Sequence, residues 1–263
     1  MKNLASQSIS ARFGAAAKTY DLESEAQRAV AKKLSGLFPP PEQIESILEI
    51  GCGTGHLTEV LAGRFPLATI EALDISAQMI DSARRRIGQC GRLRWHVVDA
   101  MRFSPGNQFS LIASSSALHW ITPAGEILSR IGSMLMEKGS LVAALMVEGT
   151  LEELHEARAG LFPHKPASVR LPSVEQILEA VLAADLSIDE SRVETLCQTC
   201  GSAREFLRSL NRQGVTASSE TQGNRLNRSE LLELTDYYDR NFSAPGGGVT
   251  ATYCVLYLRA RKK

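Results

Sequence analysis

The sequence predicts an α/β fold built on a mostly parallel sheet with helices on both faces. Three observations lead to it. Short apolar runs alternate with helix-patterned runs from about residue 46 to residue 147. A glycine-rich turn, GCGTG at 51–55, joins the first apolar run to a helix-like one. A run rich in β-branched and aromatic residues, VTATYCVLYLRA at 249–260, closes the chain. Strands that alternate with helices at this spacing join through right-handed βαβ crossovers, which makes them parallel.

Taken in order, residues 3–36 are mostly helix-forming, with a break near Tyr20-Asp21, and FPPPEQ (38–43) ends that prelude because proline cannot continue a helix. SILEI (46–50) reads as a buried strand and Gly55 to Arg64 as a helix. The pattern repeats with a strand at 68–76, a helix at 77–87, strands at 93–100 and 109–118, a helix at 123–136 and a strand at 139–147. After that the rhythm changes. Residues 150–182 look helical with a break at 162–173, residues 185–196 read as a strand, and 202–242 read as two helices around a polar loop. This divides the chain into an N-terminal helical lid segment (1–40) and a single domain (41–263) with helical additions at about 150–183 and 201–245.

Composition removes several classes of function. The 29 basic and 29 acidic residues among 263 cancel, so the whole chain has no nucleic-acid character. No run of eighteen apolar residues offers a membrane span, and the N-terminus lacks the apolar core of a secretory signal. Five scattered cysteines do not form a disulfide framework, so a reducing, cytoplasmic setting is expected. Cys197 and Cys200 make a CxxC with no second pair, and neither a metal nor a redox role is expected of them.

The turn GCGTG sits between a strand and a helix, where glycines permit positive φ and close backbone approach to a ligand. Position 56 is His, so the dinucleotide spacing GxGxxG is absent, as is the Lys-Ser/Thr pair of a phosphate loop. The tight turn suits a smaller anion, such as the carboxylate of a methionine moiety. Asp74 ends the second strand about twenty residues later, where an acid can accept from ribose hydroxyls; it can equally cap the following helix. Asp99 ends the third strand, where a carboxylate can meet an exocyclic amine. All three lie at successive strand C-ends, the edge at which open α/β sheets bind ligands.

ILEIGCGTG, ALDIS with Met79-Ile80, and VVDA together resemble the successive motifs of class I S-adenosylmethionine-dependent methyltransferases, which implies a Rossmann-like, seven-stranded, mostly parallel sheet whose last strand is antiparallel. Carried over by position, the resemblance implies that Gly51, Cys52, Gly53 and Gly55 line the methionine moiety of S-adenosylmethionine. Asp74 would hold the ribose with Ile75 and Met79 packed nearby, and Asp99, Ala100 and Met101 would surround the adenine. Cys52 is then a small apolar wall rather than a nucleophile.

Three further stretches bear on the acceptor. ARFGAAAKTYD (11–21) is similar to the N-terminal segment of the malonyl-acyl-carrier-protein O-methyltransferases of biotin synthesis and of neighbouring small-molecule methyltransferases. SSSALHWI (114–121) and MVEGTLEELHEA (146–157) resemble the biotin group more specifically. The resemblance implies methylation of the free carboxylate of malonyl-acyl carrier protein. A carboxylate is already ionised at neutral pH, so hydrogen-bond donors are expected and a catalytic triad is not. His119 is the candidate donor and Trp120 the pocket wall, or both simply close the strand end. Tyr20 is a candidate to cover the cofactor and donate to a carboxylate. Arg170 could neutralise the substrate, although a solvated loop arginine reads as well.

Arg204, Arg208 and Arg212 share one helical face and are a candidate docking face for an acidic acyl carrier protein, with Arg84–Arg86 and the tail Arg261-Lys262-Lys263 as competing patches. Two rival functions remain open here: methylation of a free small acid such as trans-aconitate, and a non-catalytic cofactor-binding scaffold.

Overall fold

The structure, a computed structural model, describes residues 4–165, 171–215 and 224–263. Seven strands form one sheet in the order β3-β2-β1-β4-β5-β7-β6. They are β1 (Ser46–Ile50), β2 (Thr69–Asp74), β3 (Leu93–Val97), β4 (Phe109–Ser115), β5 (Leu135–Met146), β6 (Leu186–Cys200) and β7 (Val249–Lys262). β1 pairs in parallel with β2 and β4, and β7 is antiparallel to both β5 and β6, as the resemblance implied. The strand order reverses at β1, which opens a crevice at its C-terminal end, and that end is the GCGTG turn.

The helices are α1 (Leu4–Ala16), α2 (Tyr20–Glu23), α3 (Glu25–Leu34), α4 (His56–Arg64), α5 (Ala77–Ile87), α6 (Ala124–Met134), α7 (Glu152–Leu161), α8 (Val174–Ala183), α9 (Ala203–Arg212) and α10 (Arg228–Asn241). They cover both sheet faces and leave two cores. One contains Ile47, Leu61 and Tyr257, the other Leu48, Ile131 and Leu258. Adjacent residues of β1 thus enter opposite cores, which is why SILEI is a continuous apolar run rather than an alternating one. The break in it is Glu49, 1% exposed.

Several boundaries differ from the sequence expectation. The N-terminal break falls at residues 17–19 and Tyr20 opens α2 rather than ending a helix. β3 stops at Val97 because Asp99 turns the chain, its carbonyl accepting from the N–H groups of Arg102 and Phe103. β5 begins at Leu135, ahead of the expected 139, absorbing an irregular step in its pairing with β4. β6 runs on to Cys200 because β7 supplies partners along its whole length. In that edge strand Cys197 is exposed and Cys200 half-buried, and an odd separation puts them on opposite faces of the sheet.

α1 and α2 lie over the ligand edge of the sheet. Ser10 Oγ donates to the Ile75 carbonyl at 3.1 Å, seating α1 beside α5. α3 buries Val30, Ala31 and Leu34 in the core and anchors the segment. Among the described residues no helix is long and apolar enough to cross a membrane.

Candidate active site

The site begins at the glycine turn. Gly51 has φ +72°, and a Cβ there would meet the Ala117 Cβ at 2.3 Å, so only glycine lets β4 and its following loop approach. Gly53 has φ +53° and a Cβ there would enter open space, the cradle itself. Four of the turn's five N–H groups are engaged: Gly51 and Cys52 donate to the Leu73 carbonyl, Gly53 to Asp74 Oδ2 at 3.0 Å, and Gly55 to the Cys52 carbonyl. The expectation that these N–H groups seat a carboxylate therefore shifts. The turn contributes space, while acceptors dominate around it.

Those acceptors surround a cleft of about 80 Å³. Asp74 borders it, its second oxygen accepting from the Ser76 N–H at 2.8 Å. Helix α5 is capped by Ser76, whose Oγ accepts from Met79, so Asp74 is not the cap. Burial raises the Asp74 pKa, against the pull of its backbone donors. Gln27, Glu49, Ser115 and Ser116 also border the cleft, and each has a side-chain oxygen sealed from solvent with no hydrogen-bond partner among the described residues. Two acids and no lysine or arginine line it among those residues. Orphaned buried acceptors are costly in a folded protein and mark where a donor-bearing ligand belongs. A cofactor with a cationic methionine end and ribose hydroxyls fits this set.

Glu49 was missed by the sequence reading, though its signal was present as an acid in the middle of an apolar strand leading into a glycine turn. Burial pushes its carboxyl up to about 8, with Thr58 beside it pulling the other way and the Asp74 charge adding to the rise. Cys52 is buried in the cleft wall, where burial holds its thiol well above the ordinary value and leaves it a poor nucleophile. Met79 borders the cleft. Ile75, Asp99, Ala100 and Met101 lie outside its lining. The Asp99 carboxylate accepts from the Met101 N–H at 2.9 Å, and Ala100 is buried in the sheet core. With α1 seated on Ile75, the cleft falls far short of the roughly 300 Å³ of a small-molecule pocket.

A second cavity, of about 780 Å³, adjoins the first. Phe13, Tyr20, Gln27, Ser116 and Trp120 border both. Ser116 has φ +55°, a strained backbone for a non-glycine residue, at the loop leaving β4. His119 lines the large cavity, and its Nδ1 accepts from the Met146 N–H at 3.3 Å. The proton therefore sits on Nε2. Burial lowers the imidazole pKa to about 3, so it is a neutral donor. The Trp120 ring stands 5.7 Å from Phe13, edge-on, with the Arg12 guanidinium 5.9 Å from its centroid. Tyr20 is held protonated far above its usual range by burial and by the Asp74 and Asp21 charges. A latch holds the N-terminal segment here. Asp21 accepts from Thr54 Oγ1 at 2.6 Å, pairs with Arg86, and lies 3.1 Å from His56 Nε2.

Most of the walls of the large cavity come from α7, α9, α10 and the segments beside them, with apolar, neutral polar and basic side chains. Arg158, Arg204, Arg208 and Arg225 line it and, among the described residues, no acid does. Arg204 and Arg208 are exposed at its rim. Arg212, expected on the same face, instead bonds Glu23 of α2 at 2.9 Å, and its carbonyl accepts from Thr19. Members of the competing patches are engaged elsewhere. Arg86 belongs to the latch, and Arg261, Lys262 and Lys263 pair with Asp189, Glu137 and Asp185. Arg170 lies outside the described residues.

A methyltransferase-domain family model matches residues 47–139. The structure of geranyl diphosphate methyltransferase in complex with S-adenosylmethionine shares the fold at a TM-score of 0.54 and 16% identity, covering 90% of this chain and 85% of that one. Fold and site together define a class I S-adenosylmethionine-dependent methyltransferase. A malonyl-[acyl-carrier protein] O-methyltransferase of Paenibacillus sp. is 30% identical over 266 residues, 93% of this chain and 94% of the relative, and that of Anoxybacillus flavithermus is 28% identical over 261 residues, 98% of each. The chain belongs to the malonyl-acyl-carrier-protein O-methyltransferases.

Proposed function

We propose that the protein methylates the free carboxylate of a malonyl group held on an acyl carrier protein, giving the methyl ester that primes pimeloyl assembly in biotin synthesis. The observation that carries this reading is the opposite character of two adjoining cavities, one bordered by acids and unpartnered acceptors, the other by four arginines and no acid among the described residues. A cationic methyl donor suits the first and an anionic acyl group the second, and they meet at Tyr20, Gln27, Ser116 and Trp120.

Bound in the cleft, S-adenosylmethionine supplies a methyl group on a positively charged sulfur. The acceptor carboxylate needs no base, since it is ionised at neutral pH. His119 donates from Nε2 to one carboxylate oxygen and leaves the other free to attack. Because the ring is neutral, it orients the carboxylate without neutralising its charge. Tyr20, equally neutral, offers a second donor from the lid. Phe13 and Trp120 exclude water at the junction, so that orientation and desolvation do most of the catalytic work. Residues 1–40 act as a lid whose base, α3, stays packed while α1 and α2 open to admit the cofactor. The 780 Å³ cavity leaves ample room beyond a malonyl group for the arm of a carrier, and Arg204 and Arg208 at its rim face the acidic carrier. Arg212 serves the lid rather than the carrier.

Initial rates with malonyl-carrier, malonyl-coenzyme A and trans-aconitate test the reading. The carrier-linked substrate should give the highest kcat/KM, and Arg204→Glu with Arg208→Glu should raise KM for it alone. Faster methylation of trans-aconitate would favour a free small acid as substrate, and no methylation of any acceptor would favour a scaffold.

A further inference from the structure

Gln27 lies in α3, far in sequence from every cofactor motif, yet it borders both cavities. Its Nε2 donates to Gln213 Oε1 at 2.9 Å. Gln213 is 2% exposed, and its own Nε2 donates to Ser209 Oγ at 3.0 Å. Ser209 stands beside the Glu23 carboxylate, which Arg212 and Ser209 together hold below its usual pKa. An ionised carboxylate only accepts, so this relay runs in one direction. A Ser209 hydroxyl turned toward Glu23 accepts from Gln213, which in turn accepts from Gln27. The amide orientation of Gln27 thus follows from the carboxylate three groups away, and reversing it would set its oxygen against the Gln213 oxygen. What the relay leaves over is the Gln27 carbonyl oxygen, sealed from solvent and without a partner among the described residues.

We infer that Gln27 is a further cofactor-binding residue, whose side-chain carbonyl oxygen accepts from the positively charged methionine end of the cofactor where the two cavities meet. This rests on the methyltransferase reading above. An oriented carbonyl beside Glu49 and the Ser115 and Ser116 hydroxyls makes an acceptor set. Both the α-ammonium and the sulfonium-bound methyl are positively charged donors that such a set attracts. Because the relay passes through α9, the helix that presents Arg204 and Arg208 also fixes the acceptor at the reaction junction.

The test is equilibrium binding of S-adenosylmethionine and S-adenosylhomocysteine to the full chain and to Gln27→Met, with thermal melting to verify folding. Gln27→Met should weaken S-adenosylmethionine by about tenfold, the scale of one lost charge-assisted hydrogen bond. An equal loss for S-adenosylhomocysteine identifies the ammonium as the donor. A loss for S-adenosylmethionine alone identifies the methyl, since only that ligand carries the charged sulfur. A folded variant that binds both ligands as the wild type does overturns the inference. Should Gln27→Met not fold, Gln213→Met reads the same contact. It frees the Gln27 amide to rotate and should weaken S-adenosylmethionine in the same sense, and unchanged affinity again overturns the inference. A wild type that binds neither ligand would instead sink the methyltransferase reading.

Discussion

At His119 a backbone N–H decides which ring nitrogen carries the proton. Met146 occupies Nδ1, and burial keeps the ring neutral down to about pH 3. His119→Ala should therefore lower kcat by about a hundredfold, the scale of losing one oriented donor, and the wild-type kcat should show no histidine titration between pH 5 and 8. The same depression has a stability consequence. Above the ordinary value of 6.5 neither state is protonated and the contribution is intact; below it the unfolded chain takes a proton that the folded ring refuses. Stability should fall from about pH 6.5 toward 3, a loss that His119→Gln would lessen in acid melts. Glu49 has the opposite sign. Its folded value is raised from 4.5 to about 8, so its contribution is fully present below 4.5 and is lost as pH rises through 8. A cationic ligand favours the ionised form, so cofactor binding near neutral pH should release a proton. Calorimetry in buffers of different ionisation enthalpy should detect the release in the wild type and not in Glu49→Gln.

The elements explain why the sequence was legible in some places and silent in others. The strand–turn–helix at 46–64 and the strand ends at Asp74 and Asp99 carry local signals, because glycine freedom and strand termination are properties of a few neighbouring residues. β1, α5 and the antiparallel β7 accordingly appear where the pattern put them. The large cavity carries no such signal. Its walls come from α1, α3, α7, α9 and α10, and no short window brings Gln27 to Gln213 or Arg212 to Glu23. Helical spacing alone grouped Arg212 with Arg204 and Arg208, and only the position of α2 separates it from them. Asp21, read from sequence merely as the break in a helix, proves to be the latch on Thr54, His56 and Arg86. Asp21→Ala should loosen α1 and α2 while the α3 base stays packed. Stopped-flow release of S-adenosylhomocysteine should then be faster by roughly tenfold, the effect of about 1.4 kcal/mol, with no large change in melting temperature.

Across the whole molecule, a chain of zero formal net charge separates its charges into two compartments. Acids and unpartnered acceptors border the cleft at the reversal of strand order, and arginines border the larger cavity beside it. The parallel sheet makes the first compartment, and the helical additions after β5 make the second. Fold likeness alone would say nothing of the acceptor, whereas the charge division calls for a cationic donor and an anionic acceptor meeting where the two cavities adjoin. The most direct measurement is the intact mass of malonyl-acyl carrier protein after incubation with the enzyme and S-adenosylmethionine. The expected result is a carrier heavier by one methyl, located on the malonyl group and removed by mild ester hydrolysis. An unchanged carrier, alongside a methyl ester formed on a free dicarboxylate supplied in the same tube, would contradict it.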